Sequence, residues 1–132
     1  MKTSEHLQVG SIYSRQDLRE KFETHDATIR NGVFRPKGHD SIWLFVTEDK
    51  SDDMTDYKDE LSGNDLFIDG QSAGRTDKLL IEHAQNDQEV ILFYRRSKRE
   101  HDHSGFRYEG RFAYFDHRGT RPAHFHFRRV TN

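Results

Sequence analysis

The chain contains no cysteine, which excludes disulfides, thiolate metal sites and a cysteine nucleophile. It has only two prolines and no apolar run near the 18 residues that a membrane helix needs. Nor does it begin like a secretory signal, so a cytoplasmic protein with no membrane partner is expected. No phosphate-binding Gly-rich loop, Gly-x-Ser-x-Gly elbow, His-Glu-x-x-His helix or Cys/His finger is present. The acids of the middle segment suggest no carboxylate-and-lysine nuclease arrangement on neighbouring strands. A non-enzyme without a cofactor is the expectation.

Hydrophobic residues make up only 32% of the 132 residues, yet ten Phe, five Tyr and one Trp supply large buried areas. That aromatic content argues for one ordered domain despite 33% charged residues. The charge is sorted along the chain. Residues 45–93 carry 13 Asp and Glu against 4 Lys and Arg, whereas residues 94–132 carry 10 Lys and Arg against 4 acids. A basic, aromatic-rich end suits a polyanion, and nucleic acid is the first partner to consider.

Residues 1–11 are polar and are expected to be a flexible segment before a single domain over 12–130. Ser14, Asp17, Leu18 and Phe22 predict a short amphipathic helix. The near-continuous apolar run Ser41–Thr47 and the run Glu89–Tyr94 predict buried strands. Residues 48–64 read as a long acidic loop, with Leu66–Ile68 a short strand before a turn from Gly70 to Gly74. Thr76 then caps a second helix carrying Leu79, Leu80, His83 and Ala84. The charged segment 95–105 reads as a hairpin or projecting loop. Phe106, Tyr108, Phe112 and Tyr114, then His124 and His126 against Phe125 and Phe127, alternate as half-buried antiparallel strands do. The predicted fold is α+β and β-dominated: a curved antiparallel sheet or small β-barrel with two short helices.

The succession GSIYSRQDLREKF, RNGVFRPKGHDSIWLFVTED, TDYKDEL, LFIDGQSAGRTDKLLIEHAQNDQEVILF and FRYEGRF, from about Gly10 to Phe127, resembles the SRA-like (YDG-type) modified-base readers. These belong to the PUA-like superfamily and are attached to nucleases of modification-dependent restriction systems. The resemblance implies a crescent-shaped barrel that flips a modified cytosine, such as 5-methylcytosine, stacks it on aromatic rings and reads its edge with an acid. Tyr57 and Asp59 match its Tyr-and-Asp segment, and Asp77 matches an acid following a Gly-rich stretch. The chain departs from the pattern at Ile68, where an aromatic is expected, and at Gly74-Arg75-Thr76-Asp77, where a Gly-Asp pair is expected.

Tyr57 is an isolated aromatic in an acidic loop, and a carboxylate such as Asp59 can accept from a cytosine amino group. The competing readings are a lid over the core for Tyr57, a solvated acid for Asp59 and a helix first-turn acid for Asp77. Phe34 and Trp43 flank the loop Arg35-Pro-Lys-Gly38 and complete the candidate base pocket, although core packing is the commoner role for a Trp on a continuous apolar strand. Arg35, Lys37, Arg75, Arg95, Arg96, Lys98 and Arg99 are the candidate phosphate contacts. The pairs His101/His103 and His124/His126 leave a histidine metal site as an alternative without defining one. The expected function is a non-catalytic domain that recognises duplex DNA carrying a modified base, serving a separately encoded nuclease. The alternatives are a PUA-like RNA or single-strand binder, a small histidine-ligated metalloprotein, and a module whose acidic loop binds a basic protein.

Overall fold

The computed structural model describes residues 1–48, 59–70, 74–120 and 122–131. Among these, eight strands form one sheet: β1 (Ile12–Tyr13), β2 (Val33–Phe34), β3 (Ser41–Thr47), β4 (Glu60–Ser62), β5 (Asp65–Asp69), β6 (Glu89–Arg95), β7 (Phe106–Arg118) and β8 (His124–Arg129). The order is β2-β3-β6-β7-β8-β5-β4, with β1 added beside β7. The α+β, β-dominated expectation of a curved sheet holds, except that the sheet is mixed rather than antiparallel and the barrel alternative is not formed. The sheet is mixed, because β3 and β6 run parallel from Ser41↔Glu89 to Thr47↔Arg95. It is also open, since β2 and β4 end the order without pairing to each other. Hydrophobic runs buried on both faces are what parallel strands require, and both of these strands have them.

The sheet curls so that its two ends share one core. Ile42, Leu44 and Val46 of β3 pack in the same cluster as Leu66 and Ile68 of β5, together with Val90, Leu92, Phe112, Phe125 and Phe127. The opposite face is aromatic: Phe34, Trp43, Phe45, Phe93, Phe106 and Tyr108 pack with Leu18 and Ile29. Helix α1 (Arg15–Phe22) closes this second layer through Leu18. Its start is fixed by a capping box in which Ser14 Oγ accepts from the Asp17 N–H and Asp17 accepts from the Ser14 N–H.

The alternation in β7 is interrupted twice. A register shift against β6 between Leu92 and Phe93 inserts Glu109 beside Gly110, whose φ is 92°. Phe106 and Tyr108 therefore face the aromatic layer while Phe112 faces the other core. Glu109 is buried by the same bulge and pairs with Arg107 (2.8 Å) and Arg129 (3.2 Å). A second shift, against β8 between Tyr114 and Asp116, leaves Phe115 as the extra residue.

Residues 1–11 are docked rather than loose. Residues Thr3–His6 form a 3-10 turn with Thr3 fully buried. The Thr3 N–H donates to Ser41 Oγ (2.9 Å), and the Trp43 indole donates to Thr3 Oγ1 (3.0 Å). Ser4 donates from its amide and hydroxyl to Glu89. The segment completes the polar requirements of the β3 and β6 starts, which is why a polar sequence is ordered here.

Candidate functional site

The second helix, α2, is short (Asp77–Ile81), ending before His83 and Ala84, and Thr76 makes no side-chain cap bond. Instead α2 seats Leu80 in the core and places Asp77 against Gly70, at the end of β5. A Cβ at Gly70 would lie 2.9 Å from Asp77 Oδ1 and 2.8 Å from Phe125 Cε2, so the absence of a side chain permits this approach. Asp77 Oδ1 is buried and has no hydrogen-bond partner among the described residues. Asp59 lies on the same side of the strand end, where its Oδ1 accepts from the Asp69 N–H (3.1 Å).

Asp59, Asp69 and Gly70 line a cleft of about 150 Å³ with Leu44, Val46 and Ile68. This cleft is the seam of the open sheet, with β2 and β3 on one wall and β5 on the other. Among the described residues the curled ends exchange no backbone hydrogen bond there. Asp59 lines this cleft, whereas Asp77 meets Gly70 from α2 without lining it. Tyr57, the stacking candidate of that group, lies outside the described residues.

Phe34 and Trp43 do not join them. Both are buried, at 2% and 0% exposure, in the aromatic layer on the other face. Their rings stand edge to face at 5.3 Å, and Trp43 also meets Phe93 and Phe22. They are core residues, because a ligand could reach Trp43 only by displacing α1 and the N-terminal segment.

The cations divide similarly. Arg95 is 6% exposed; its guanidinium lies 4.0 Å from the Phe106 centroid and donates to Thr47 Oγ1 and the Ser104 carbonyl, both at 2.8 Å. It serves packing, and burial lowers its pKa. Burial, then the charge of Arg95, brings the neighbouring Arg15 down to about 10. Arg75, Arg96, Lys98 and Arg99 are exposed. Arg96, Lys98 and Arg99 follow the C-terminal end of β6, the end at which β3 passes the seam, and Arg75 precedes Asp77. Arg35 and Lys37 are also exposed but follow β2, whose Phe34 pairs with Trp43 toward the start of β3. The two basic groups therefore occupy opposite ends of the parallel pair, roughly 20 Å apart at about 3.3 Å per residue.

The sequence reading missed how much of the basic C-terminal region is neutralised internally. Arg107 and Arg129 hold Glu109, and Arg128 lies 3.5 Å from Asp65. It also missed Phe67 and Phe115, exposed at 40% and 48% on the outer sheet face. A larger groove of about 770 Å³ runs between the N-terminal segment and β6–β7, but its Lys2 and Arg129 are already engaged by Asp87 and Glu109. Among the described residues no three of His, Cys, Asp and Glu converge as a metal site requires, and no helix is long and apolar enough to cross a membrane.

No protein-family model matches the chain, and no curated protein matches it.

Proposed function

We propose that this chain is a non-catalytic, SRA-like domain that binds duplex DNA carrying a C5-modified cytosine, flips that base into the seam, and serves a separately encoded restriction or defence nuclease in the cytoplasm. The observation that carries the reading is Asp59 lining the seam cleft with Gly70, against which Asp77 Oδ1 is buried with no hydrogen-bond partner among the described residues. A buried acceptor without a partner is costly, and the cytosine amino group is a donor of the right kind. The cleft of about 150 Å³ suits one ring rather than a larger ligand. The ordered motifs resembling SRA-like readers point to the same two acids, with Tyr57 as the stacking partner.

Unstacking a base costs a few kcal/mol, which stacking and edge hydrogen bonds offset. Arg75, Arg96, Lys98 and Arg99 stand at the seam end and would hold phosphates. Four such contacts would give a slope of log affinity against log salt of about −3.6.

The test is binding of the chain to matched duplexes containing cytosine, 5-methylcytosine or 5-hydroxymethylcytosine at two salt concentrations, with an RNA hairpin in parallel. Preference for one modified duplex that persists at the higher salt supports the reading. Equal binding to all duplexes, or preference for the hairpin, overturns it. Arg96→Ala with Lys98→Ala should weaken every duplex alike and reduce the salt slope by about 1.8.

A further inference from the structure

A second cleft lies on the outer face of β5, β8 and β7. Alternation along β8 buries Phe125 and Phe127 and turns His124, His126 and Arg128 outward. Pairing places Phe67 beside His126, Asp69 beside His124, and Asp65 beside Arg128. The bulge in β7 adds Phe115 to the same face. Phe67 stacks on His126 with centroids 4.5 Å apart and planes at 26°, and Phe115 meets that imidazole edge-on at 5.0 Å. Arg128 covers Phe115 at 3.8 Å.

Two carboxylates orient the imidazoles. His126 Nε2 lies 2.8 Å from Asp65, and His124 Nδ1 lies 2.6 Å from Asp69. The Asp69 contact leaves Nε2 of the half-exposed His124 for a ligand. Arg118 pairs in register with His124 and is exposed. No ion pair or hydrogen bond engages its guanidinium among the described residues. Phe67, Asp69, Asp116, Arg118, His124 and His126 line this cleft, whose volume is about 360 Å³.

The geometry points to a nucleotide site: we infer that this cleft holds one unpaired nucleotide of a single strand, with its base on Phe67 and its phosphate between Arg118 and His124. Exposed aromatics on a sheet provide sequence-tolerant stacking, and an unengaged guanidinium beside an oriented imidazole supplies the anion contact. An apolar partner would strand the Arg118 guanidinium without an acceptor. The inference does not rest on what the seam reads, although Asp69 lines both clefts.

The experiment measures polarisation of a fluorescein-labelled hexathymidylate with the full chain. Wild type binds, Phe67→Ala weakens binding roughly fivefold or more, and Arg118→Ala lowers affinity and reduces the salt slope by about 0.7. Asp59→Asn with Asp77→Asn leaves hexathymidylate binding intact, and Phe67→Ala leaves any preference among modified duplexes intact. Phe67 and Arg118 are exposed, and a thermal melt of each variant checks its folding. Absence of wild-type binding overturns the inference, as do folded Phe67→Ala and Arg118→Ala variants that bind like wild type.

Discussion

Replacing Gly70 by Ala tests the packing that forms the seam. The φ of Gly70 lies outside the left-handed region, so the backbone accepts Ala and the whole effect must come from contacts. The new methyl would sit 2.8 Å from Phe125 Cε2 and 2.9 Å from Asp77 Oδ1. Ordinary carbon contacts begin near 3.5 Å, so about 0.7 Å must be found by moving a buried ring and a buried carboxylate. Overpacking of this kind costs about 1–3 kcal/mol. With a urea dependence of about 1.5 kcal/mol per M, a 2 kcal/mol loss lowers the unfolding midpoint by about 1.3 M. Phe125→Leu removes the atom nearest the methyl, and the double variant should recover at least about 1 kcal/mol relative to additivity. A midpoint for Gly70→Ala within about 0.3 M of wild type would refute the close approach of β5 to Asp77 and with it the geometry of the seam.

Glu109→Ala leaves Arg107 and Arg129 without their buried partner and should cost about 2–3 kcal/mol by urea unfolding, the partial exposure of both arginines keeping it at the low end. Glu109→Gln, which retains acceptors, should cost less. Thr3→Val strands the indole N–H of fully buried Trp43 and should cost about 1–3 kcal/mol, and a neutral result would show that the N-terminal segment contributes nothing to the fold. His39, packed edge-on against Phe22 and Trp43 and 2.6 Å from Thr3 Oγ1, has its pKa lowered first by burial. The unfolded chain therefore takes up this proton first, and stability should fall as pH drops below about 6.5. Thermal melts at pH 7.5 and 5.5 should show a smaller acid-side loss for His39→Gln than for wild type.

What could be read from sequence was local. Ser14 with Asp17 announced α1, and the apolar runs of β3 and β6 announced buried strands, because capping and periodicity depend on near neighbours. The parallel pairing of those strands depends on the crossover through β4, β5 and α2, which no local pattern records. Phe106, Tyr108, Phe112 and Tyr114 share one parity in sequence, but the Glu109 bulge divides the strand between two faces. Arg95 reads as part of a basic surface until Phe106 is seen beneath it. Thr3 becomes a core residue only because Trp43 needs an acceptor. At the seam, Asp59 and Asp77 were nameable from motifs, while the placing of Asp59 in the cleft and of Asp77 against Gly70 requires the curled sheet. Phe67 and Phe115 carried weak signals: Phe67 stands between inward Leu66 and Ile68, and Phe115 follows inward Tyr114. Both positions imply an outward ring.

The most direct measurement of the central claim is discrimination between cytosine and 5-methylcytosine duplexes by wild type, Asp59→Ala and Asp77→Ala, each shown to be folded. The account predicts that wild type prefers the modified duplex and that either substitution removes the preference while salt-sensitive binding to both duplexes remains. A preference unchanged in both variants would contradict the assignment of the seam as the base site.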